Sequence, residues 1–184
     1  MLQPIILGHL IKAYMETKMT FGEKSDWVEI GKIETTGCLS LSDTSYFYDQ
    51  PVIVDIDPGI YSVAVSFVKI DGHLHIARAK VATSAVDSKL GREIGAIGVD
   101  FGQIGVCDRS FVEAAFDALG DDGMPEYFDQ LGITELNGVV SLKNVRAMFI
   151  FKPGFGDGSY PVYELIGPNG VRRGVEVDCM HGVS

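Results

Sequence analysis

Residues 37–46 read Gly-Cys-Leu-Ser-Leu-Ser-Asp-Thr-Ser-Tyr, and residues 102–111 read Gly-Gln-Ile-Gly-Val-Cys-Asp-Arg-Ser-Phe. Both stretches fit the pattern Gly-x-aliphatic-x-aliphatic-x-Asp-x-Ser-aromatic. Apolar residues at every second position are typical of a strand with one buried face. The pattern therefore predicts two equivalent strands, one ending at Asp43 and the other at Asp108.

Two further features follow each copy in the same order. The first is Gly-x-Tyr-x-Val, at 59–63 and again at 158–162, and the second is a turn at Asp71-Gly72 and again at Asn169-Gly170. Three features repeated in order predict an internal duplication within a single domain, 1–184. The predicted repeats cover about 28–82 and 94–178, and the second contains a helical insertion at about 112–136.

Local signals predict how the chain turns and where it becomes helical. Asp71-Gly72 lies between two alternating runs, which predicts a hairpin with a type I′ turn. Helical spacing predicts an N-terminal helix at about 5–19. Ser110 and Glu113 match a capping box, which predicts a short helix from Phe111 to about Leu119. Pro125 in a first turn predicts a second short helix at 124–131.

These elements place the chain in the mainly β (α+β) class. We expect a pseudo-duplicated antiparallel β-sandwich or a partly open barrel, with the N-terminal helix and two short inserted helices at its periphery.

The charge and cysteine content limit the classes of partner and compartment. The 184-residue chain has a formal net charge of −10 and a pI near 4.7, which argues against nucleic acid and against an anionic membrane as the main partner. No apolar stretch approaches the ~18 residues that a membrane span needs. Three cysteines with no C-x-x-C favour a reducing cytoplasm. We therefore expect a soluble, cytoplasmic protein, with a protein partner and a small ligand both open.

The two strand-end aspartates allow two interpretations. In the first, the duplication brings Asp43 and Asp108 together with Asp100 or Asp157, and the carboxylates hold a cation or act as acid and base. In the second, each aspartate accepts hydrogen bonds from local backbone N–H groups in an Asx turn, with the serine two residues on as a cap. The second explains the Asp-x-Ser spacing directly, and we favour it.

Other candidate positions give weaker signals. The glycine-dense loop 154–160 offers Asp157 and Tyr160 as ligand contacts but matches no phosphate-binding motif. His73-x-His75 is half of a zinc site without an identifiable third ligand. Cys107 is expected to be a buried structural residue. Tyr46-Phe47-Tyr48 suggests a protein-contact patch. We predict neither a metal site nor a cofactor.

The chain resembles a bacterial family of uncharacterised proteins, a domain of unknown function. The similarity lies in Val-Asp-x-Gly-x-x-Gly-x-x-Asp at 99–108, in Pro-Gly-x-Tyr-x-Val at 58–63, and in Gly-Asp-Gly-x-Tyr-Pro-Val-Tyr at 156–163. Family members often carry a proline after the strand-end aspartate, where this chain has Thr44 and Arg109. The resemblance covers about 28–178 and implies a bacterial, cytoplasmic protein, but it implies no activity.

We expect a non-enzymatic binding or accessory domain that acts through an acidic, loop-rich surface. The alternative is a hydrolase or cation-dependent enzyme that uses the aspartate cluster of Asp43, Asp100, Asp108 and Asp157. A third hypothesis is a small-ligand cleft between the two halves. Since the helical insertion follows the second repeat strand, we expect a specific function to lie nearer Asp108 than Asp43.

Overall fold

The computed structural model describes residues 19–46, 50–83, 88–119, 137–142 and 145–181. Within these residues the chain is mainly β. Its elements are β1 (Val28–Thr35), β2 (Cys38–Asp43), β3 (Val52–Asp55), β4 (Gly59–Ile70), β5 (His73–Ala82), β6 (Lys89–Val99), β7 (Ile104–Asp108), α1 (Arg109–Leu119), β8 (Asn137–Leu142), β9 (Val145–Phe151), β10 (Gly158–Ile166) and β11 (Arg172–Asp178).

The strands form two antiparallel sheets. A six-stranded sheet has the order β1-β4-β5-β11-β10-β6, and a five-stranded sheet has the order β3-β2-β7-β9-β8. The two sheets do not close into a barrel. This arrangement of two sheets is consistent with the expected β-sandwich.

The hydrophobic core lies between the two sheets. Leu41, Val106 and Phe151 of the five-stranded sheet line the same small void as Val63 and Val175 of the six-stranded sheet. The void has a volume of only about 10 Å³, which is about the space of one water molecule. The inward faces of the two sheets are therefore packed closely together at this point.

Helix α1 covers the outer face of the five-stranded sheet. It contacts β2, β7 and β9, and its Phe111 and Val112 are buried. The outward residues Ser40, Cys107 and Ile150 beneath it are also buried. This explains why β7 has five consecutive buried residues rather than an alternating pattern. A strand covered on both faces needs apolar or small residues on both.

Two hairpins follow the predicted turn chemistry. Asp71 and Gly72 have φ values of 49° and 83°, as a type I′ turn requires, and they join β4 to β5. Gly170, with a φ of 75°, lies in the turn between β10 and β11. The predicted hairpin at Asp71-Gly72 and the predicted turn at Asn169-Gly170 are both confirmed.

Several predicted boundaries differ from the structure. Strand β6 begins at Lys89, before the predicted start of the second repeat at about 94, and β7 begins at Ile104, because 100–103 form the turn between them. Helix α1 begins at Arg109, so Asp108 is its N-cap in place of Ser110. The N-terminal helix and the second inserted helix, 124–131, lie outside the described residues.

The strand order is symmetric. From one edge of the six-stranded sheet inward the order is β1, β4, β5, and from the other edge inward it is β6, β10, β11, which are the corresponding strands of the second half. In the other sheet, β3 and β2 of the first half correspond in the same way to β9 and β7 of the second half. Strand β8 has no counterpart, because it lies in the longer second half. The duplication itself stays a prediction.

Candidate functional site

Two equivalent turns carry the chain from one sheet to the other. The first joins β1 to β2 through Thr36 and Gly37, and the second joins β6 to β7 through residues 100–103. Both turns contain a glycine in the left-handed region, Gly37 (φ 121°) and Gly102 (φ 67°). Beside each turn lies the strand-end aspartate of the other half.

The Asp43 carboxylate binds the second turn. Its Oδ2 accepts hydrogen bonds from the backbone N–H groups of Asp100 (2.9 Å) and Phe101 (2.8 Å). Its Oδ1 accepts one from the N–H of Ser45 (2.7 Å), which is the predicted Asx contact. Asp43 is completely buried, so these amide donors replace water around its carboxylate.

The Asp108 carboxylate binds the first turn in the same way. Its Oδ2 accepts from the Thr36 N–H (2.5 Å) and from the Thr35 hydroxyl (2.9 Å), and its Oδ1 accepts from the Ser110 N–H (2.9 Å). Burial alone raises the pKa of Asp108, but the hydrogen bonds from Ser110, Thr36 and Thr35 outweigh it and hold the pKa below its ordinary value. The carboxylate is therefore a charged structural acceptor.

Asp43 and Asp108 do not share a site. Strands β2 and β7 are antiparallel, with Asp43 opposite Ile104 and Asp108 opposite Leu39. The two aspartates thus lie at opposite ends of the strand pair, roughly 14 Å apart at about 3.4 Å per residue. The aspartate cluster required by the enzyme hypothesis is divided, because the antiparallel pairing places equivalent residues at opposite ends.

The other predicted contacts lie at the Asp43 end. Val99 pairs with Gly158, so Asp100 and Asp157 are neighbours just beyond the paired residues. A side-chain oxygen of Asp157 also lies 3.9 Å from the Cβ position of a residue replacing Gly102. The structure therefore places Asp43, Asp100 and Asp157 around one turn and Asp108 elsewhere.

Tyr160 has a structural role. It is buried, and its hydroxyl donates to the Gly156 carbonyl (2.9 Å), four residues earlier. Burial raises the pKa of this phenol. Tyr61 makes the same bond to the Asp57 carbonyl (2.7 Å) in the first half. Such a tyrosine corner fixes the loop before a strand, so both Gly-x-Tyr motifs stabilise loops.

Three exposed aromatic side chains surround the second turn. Phe101 is 45% exposed, Tyr46 46% and Phe155 51%. Tyr46 is the residue after Ser45, whose backbone N–H binds Asp43. Phe155 is the residue before Gly156, and the Cα of Gly156 lies 4.0 Å from the position that a Cβ on residue 102 would occupy. We call this surface the Asp43 corner and define it by Tyr46, Asp100, Phe101, Phe155 and Asp157.

The loop with Phe155 is held in place by His75. The Nδ1 atom of His75 lies 2.6 Å from the Gly154 carbonyl oxygen, and its ring lies 5.4 Å from the ring of Phe155. His75 is therefore engaged by the loop, while His73 beside it is exposed. In the part of the chain that the structure describes, no three His, Cys, Asp or Glu side chains are grouped to hold a metal ion.

The cysteines offer no activated nucleophile. Cys107 is completely buried, and burial raises the pKa of its thiol well above the ordinary value. Burial likewise raises the pKa of Cys179. Since the thiolate is the reactive form, these two thiols are inert at neutral pH.

The sequence identified Tyr46 and Asp157 as surface contacts, but it did not identify Phe101 and Phe155. Their signal was present: each phenylalanine lies next to glycine in a turn, as Phe101-Gly102 and as Gly154-Phe155-Gly156. A large apolar side chain among turn residues is a candidate for surface contact.

No family model, curated protein or solved structure matches this chain significantly. Among the described residues, no helix is long and apolar enough to cross a membrane. The residues of the site therefore provide the evidence for function.

Proposed function

We propose that this protein is a non-enzymatic binding module that contacts a protein partner through the Asp43 corner. The single observation that carries the proposal is the difference between the two equivalent turns. They share the same aspartate bonds and the same tyrosine corner, yet only the second presents exposed aromatic rings beside carboxylates.

The corresponding positions of the first turn show the difference. Where the second half has exposed Phe101 and Phe155, the first half has Thr36 and the buried Ile56. Where the second half has Asp157, the first has Pro58. The scaffold alone therefore does not require the aromatic rings, and their exposure costs hydration free energy that burial against a partner would recover.

The surface is also rigidly presented. The turn of Phe101 is bound by Asp43, and the loop of Phe155 is bound by His75 and by Tyr160. A fixed surface loses little conformational entropy on association. The proposed function lies at the Asp43 corner, whereas the sequence favoured a function nearer Asp108. The Asp108 carboxylate binds the first turn and caps α1, which accounts for it structurally.

We also propose, as the sequence led us to expect, that the protein is bacterial and cytoplasmic. Cys38, Cys107 and Cys179 are all free thiols, which supports a reducing compartment. A duplication of one half, followed by divergence of one turn, would account for the shared scaffold and the different surfaces.

Affinity purification with quantitative mass spectrometry tests the proposal. Phe101→Ser is expected to lose partners that the unmodified protein retains, because it removes an aromatic ring and leaves the backbone N–H bond to Asp43 intact. Ile60→Ser is the matched control, since Ile60 is an apolar side chain, 67% exposed, outside the Asp43 corner.

The thermal midpoints of both variants are measured alongside, so that a loss of fold is recognised. Equal partner recovery by Phe101→Ser, Ile60→Ser and the unmodified protein would refute the Asp43 corner as the contact surface.

A further inference from the structure

The residues of the Asp43 corner indicate the chemistry of its partner. This inference rests on the proposed function. Asp100 and Asp157 are neighbours in register, directly beyond the Val99–Gly158 pair. Both are exposed, and neither carboxylate has an ion pair or a side-chain hydrogen bond within the described residues. Two adjacent like charges repel each other, and a bound cation relieves that repulsion.

Three other acidic side chains in the described part of the chain have cationic partners. Glu164 pairs with Arg172 and Arg92, Glu176 pairs with Arg78, and Glu113 pairs with Arg109. Among the residues that define it, the Asp43 corner has two carboxylates and no cation. A net charge of −10 further favours a cationic segment as the partner.

The aromatic rings select among cations. Phe101 directly follows Asp100 and Phe155 lies two residues before Asp157, and both rings are exposed. A guanidinium group stacks on the face of such a ring with its flat side, binds carboxylates through paired N–H donors, and is less strongly hydrated than an ammonium group. A lysine ammonium can satisfy the charge but gains less from the rings.

Alternative ligands fit the surface less well. Phosphate groups of nucleic acid or lipid would meet two carboxylates and no cationic side chain of the corner. A bare metal ion would find only the carboxylates of Asp100 and Asp157, because no three metal-binding side chains are grouped among the described residues. An uncharged apolar peptide would leave Asp100 and Asp157 partly desolvated and unpaired.

We infer that the Asp43 corner binds an arginine-bearing peptide segment, with the guanidinium group between the Asp100–Asp157 carboxylate pair and the exposed rings of Phe101 and Phe155.

Three acetylated, amidated Gly-Ser peptides of equal length test the inference. One contains three arginines, the second lysines at the same positions, and the third citrullines, which keep the shape of arginine without its charge. Each is titrated into the full-length, ¹⁵N-labelled protein, and the backbone amide shifts of Phe101, Gly102 and Gly156 are followed.

We expect the arginine peptide to bind about two- to fivefold more tightly than the lysine peptide, as a cation–π gain of about 0.5–1 kcal/mol gives. The citrulline peptide is expected not to bind, and the affinity of the arginine peptide is expected to fall with added salt. Phe101→Ser and Asp157→Asn should each weaken it, and Ile60→Ser should leave it unchanged.

The outcomes separate the inference from the proposed function. Equal affinity for arginine and lysine peptides, or no shift with either, overturns arginine recognition. If Phe101→Ser still loses a purified partner in that case, the binding surface stands and its chemistry is different. Shifts of equal size with the citrulline peptide also overturn the inference, and shifts confined to residues outside the corner overturn the corner as the site for this peptide.

Discussion

The Asp43 carboxylate accepts a 2.8 Å hydrogen bond from the backbone N–H of Phe101, which lies 58 residues further along the chain. This bond fixes the turn that exposes the Phe101 ring. Its counterpart joins Asp108 to the N–H of Thr36 across 72 residues in the opposite direction. Each half of the molecule therefore holds the turn of the other half through one buried carboxylate, and we expect the two halves to unfold together.

Asp43→Asn should destabilise the protein by about 3 kcal/mol, because an amide nitrogen would face a buried N–H donor and the charge-assisted bonds would be lost. Urea denaturation measures the change. Asp157→Asn is the control, since Asp157 is exposed, and it should stay within about 0.5 kcal/mol of the unmodified protein. Equal midpoints for Asp43→Asn and the control would contradict a stabilising role for this carboxylate.

Asp108 should contribute to the acid sensitivity of the fold. Because its folded pKa is lowered, the unfolded chain binds the proton more readily, and the contribution is present above the unfolded value near 3.8 and lost as the pH falls through the folded pKa. The free energy of unfolding should therefore fall on acidification below about pH 4. Asp108→Asn should be less stable at neutral pH and should show a smaller fall.

The measurement is a series of urea denaturations between neutral and acidic pH. Asp71→Asn is a suitable control, because asparagine tolerates the left-handed φ of 49° at that turn. The same acid dependence in Asp108→Asn and in the unmodified protein would show that other carboxylates account for it.

The contribution of Glu176 to stability should change with pH in the direction opposite to that of Asp108. Burial raises its pKa, and Arg78 and Lys80 oppose that effect only in part. The folded state then binds the proton more tightly than the unfolded chain, so the contribution of Glu176 to stability decreases as the pH rises from about 4.5 through the folded pKa.

Glu176→Gln removes this titration. The free energy of unfolding of the unmodified protein, minus that of Glu176→Gln, should therefore be larger at pH 4 than at pH 7, as measured by urea denaturation at both values. A difference that is constant or rises with pH would contradict the raised pKa.

We expect substitution by alanine to affect stability differently at Gly174 and at Gly98. A Cβ on Gly174 would lie 2.1 Å from the Val81 carbonyl oxygen and 2.7 Å from the Cα of Ala82. Gly174→Ala should therefore cost about 2 kcal/mol or more, because the paired backbones of β11 and β5 would have to separate. At Gly98 a Cβ meets nothing within 4 Å.

Gly98→Ala should be neutral or stabilising by up to about 1 kcal/mol, since alanine reduces the freedom of the unfolded chain. Thermal denaturation of the two variants measures both effects. A Gly174→Ala variant as stable as Gly98→Ala would show that the β5–β11 pair adapts freely.

The candidate site was predictable only in part. The Asx contacts of Ser45 with Asp43 and of Ser110 with Asp108 followed from the Asp-x-Ser spacing, because these bonds join residues two positions apart. The bonds to Phe101 and Thr36 were not predictable, because a spacing pattern contains no information about which distant amides a buried carboxylate meets. The separation of Asp43 from Asp108 likewise depended on the direction in which β2 and β7 pair.

The sequence by itself determined the alternating strands, the Asp71-Gly72 hairpin turn and the repeated order of motifs, because each depends on neighbouring residues and on the backbone preferences of glycine and aspartate. Only the tertiary structure decided which aromatic residues reach the surface. Tyr46 and Phe111 end the same ten-residue pattern, yet Tyr46 is 46% exposed and Phe111 is 1% exposed. The reason is physical: Phe111 lies on a helix that packs against the five-stranded sheet, whereas Tyr46 lies beyond a turn that the Asp43 carboxylate holds at the edge of the molecule.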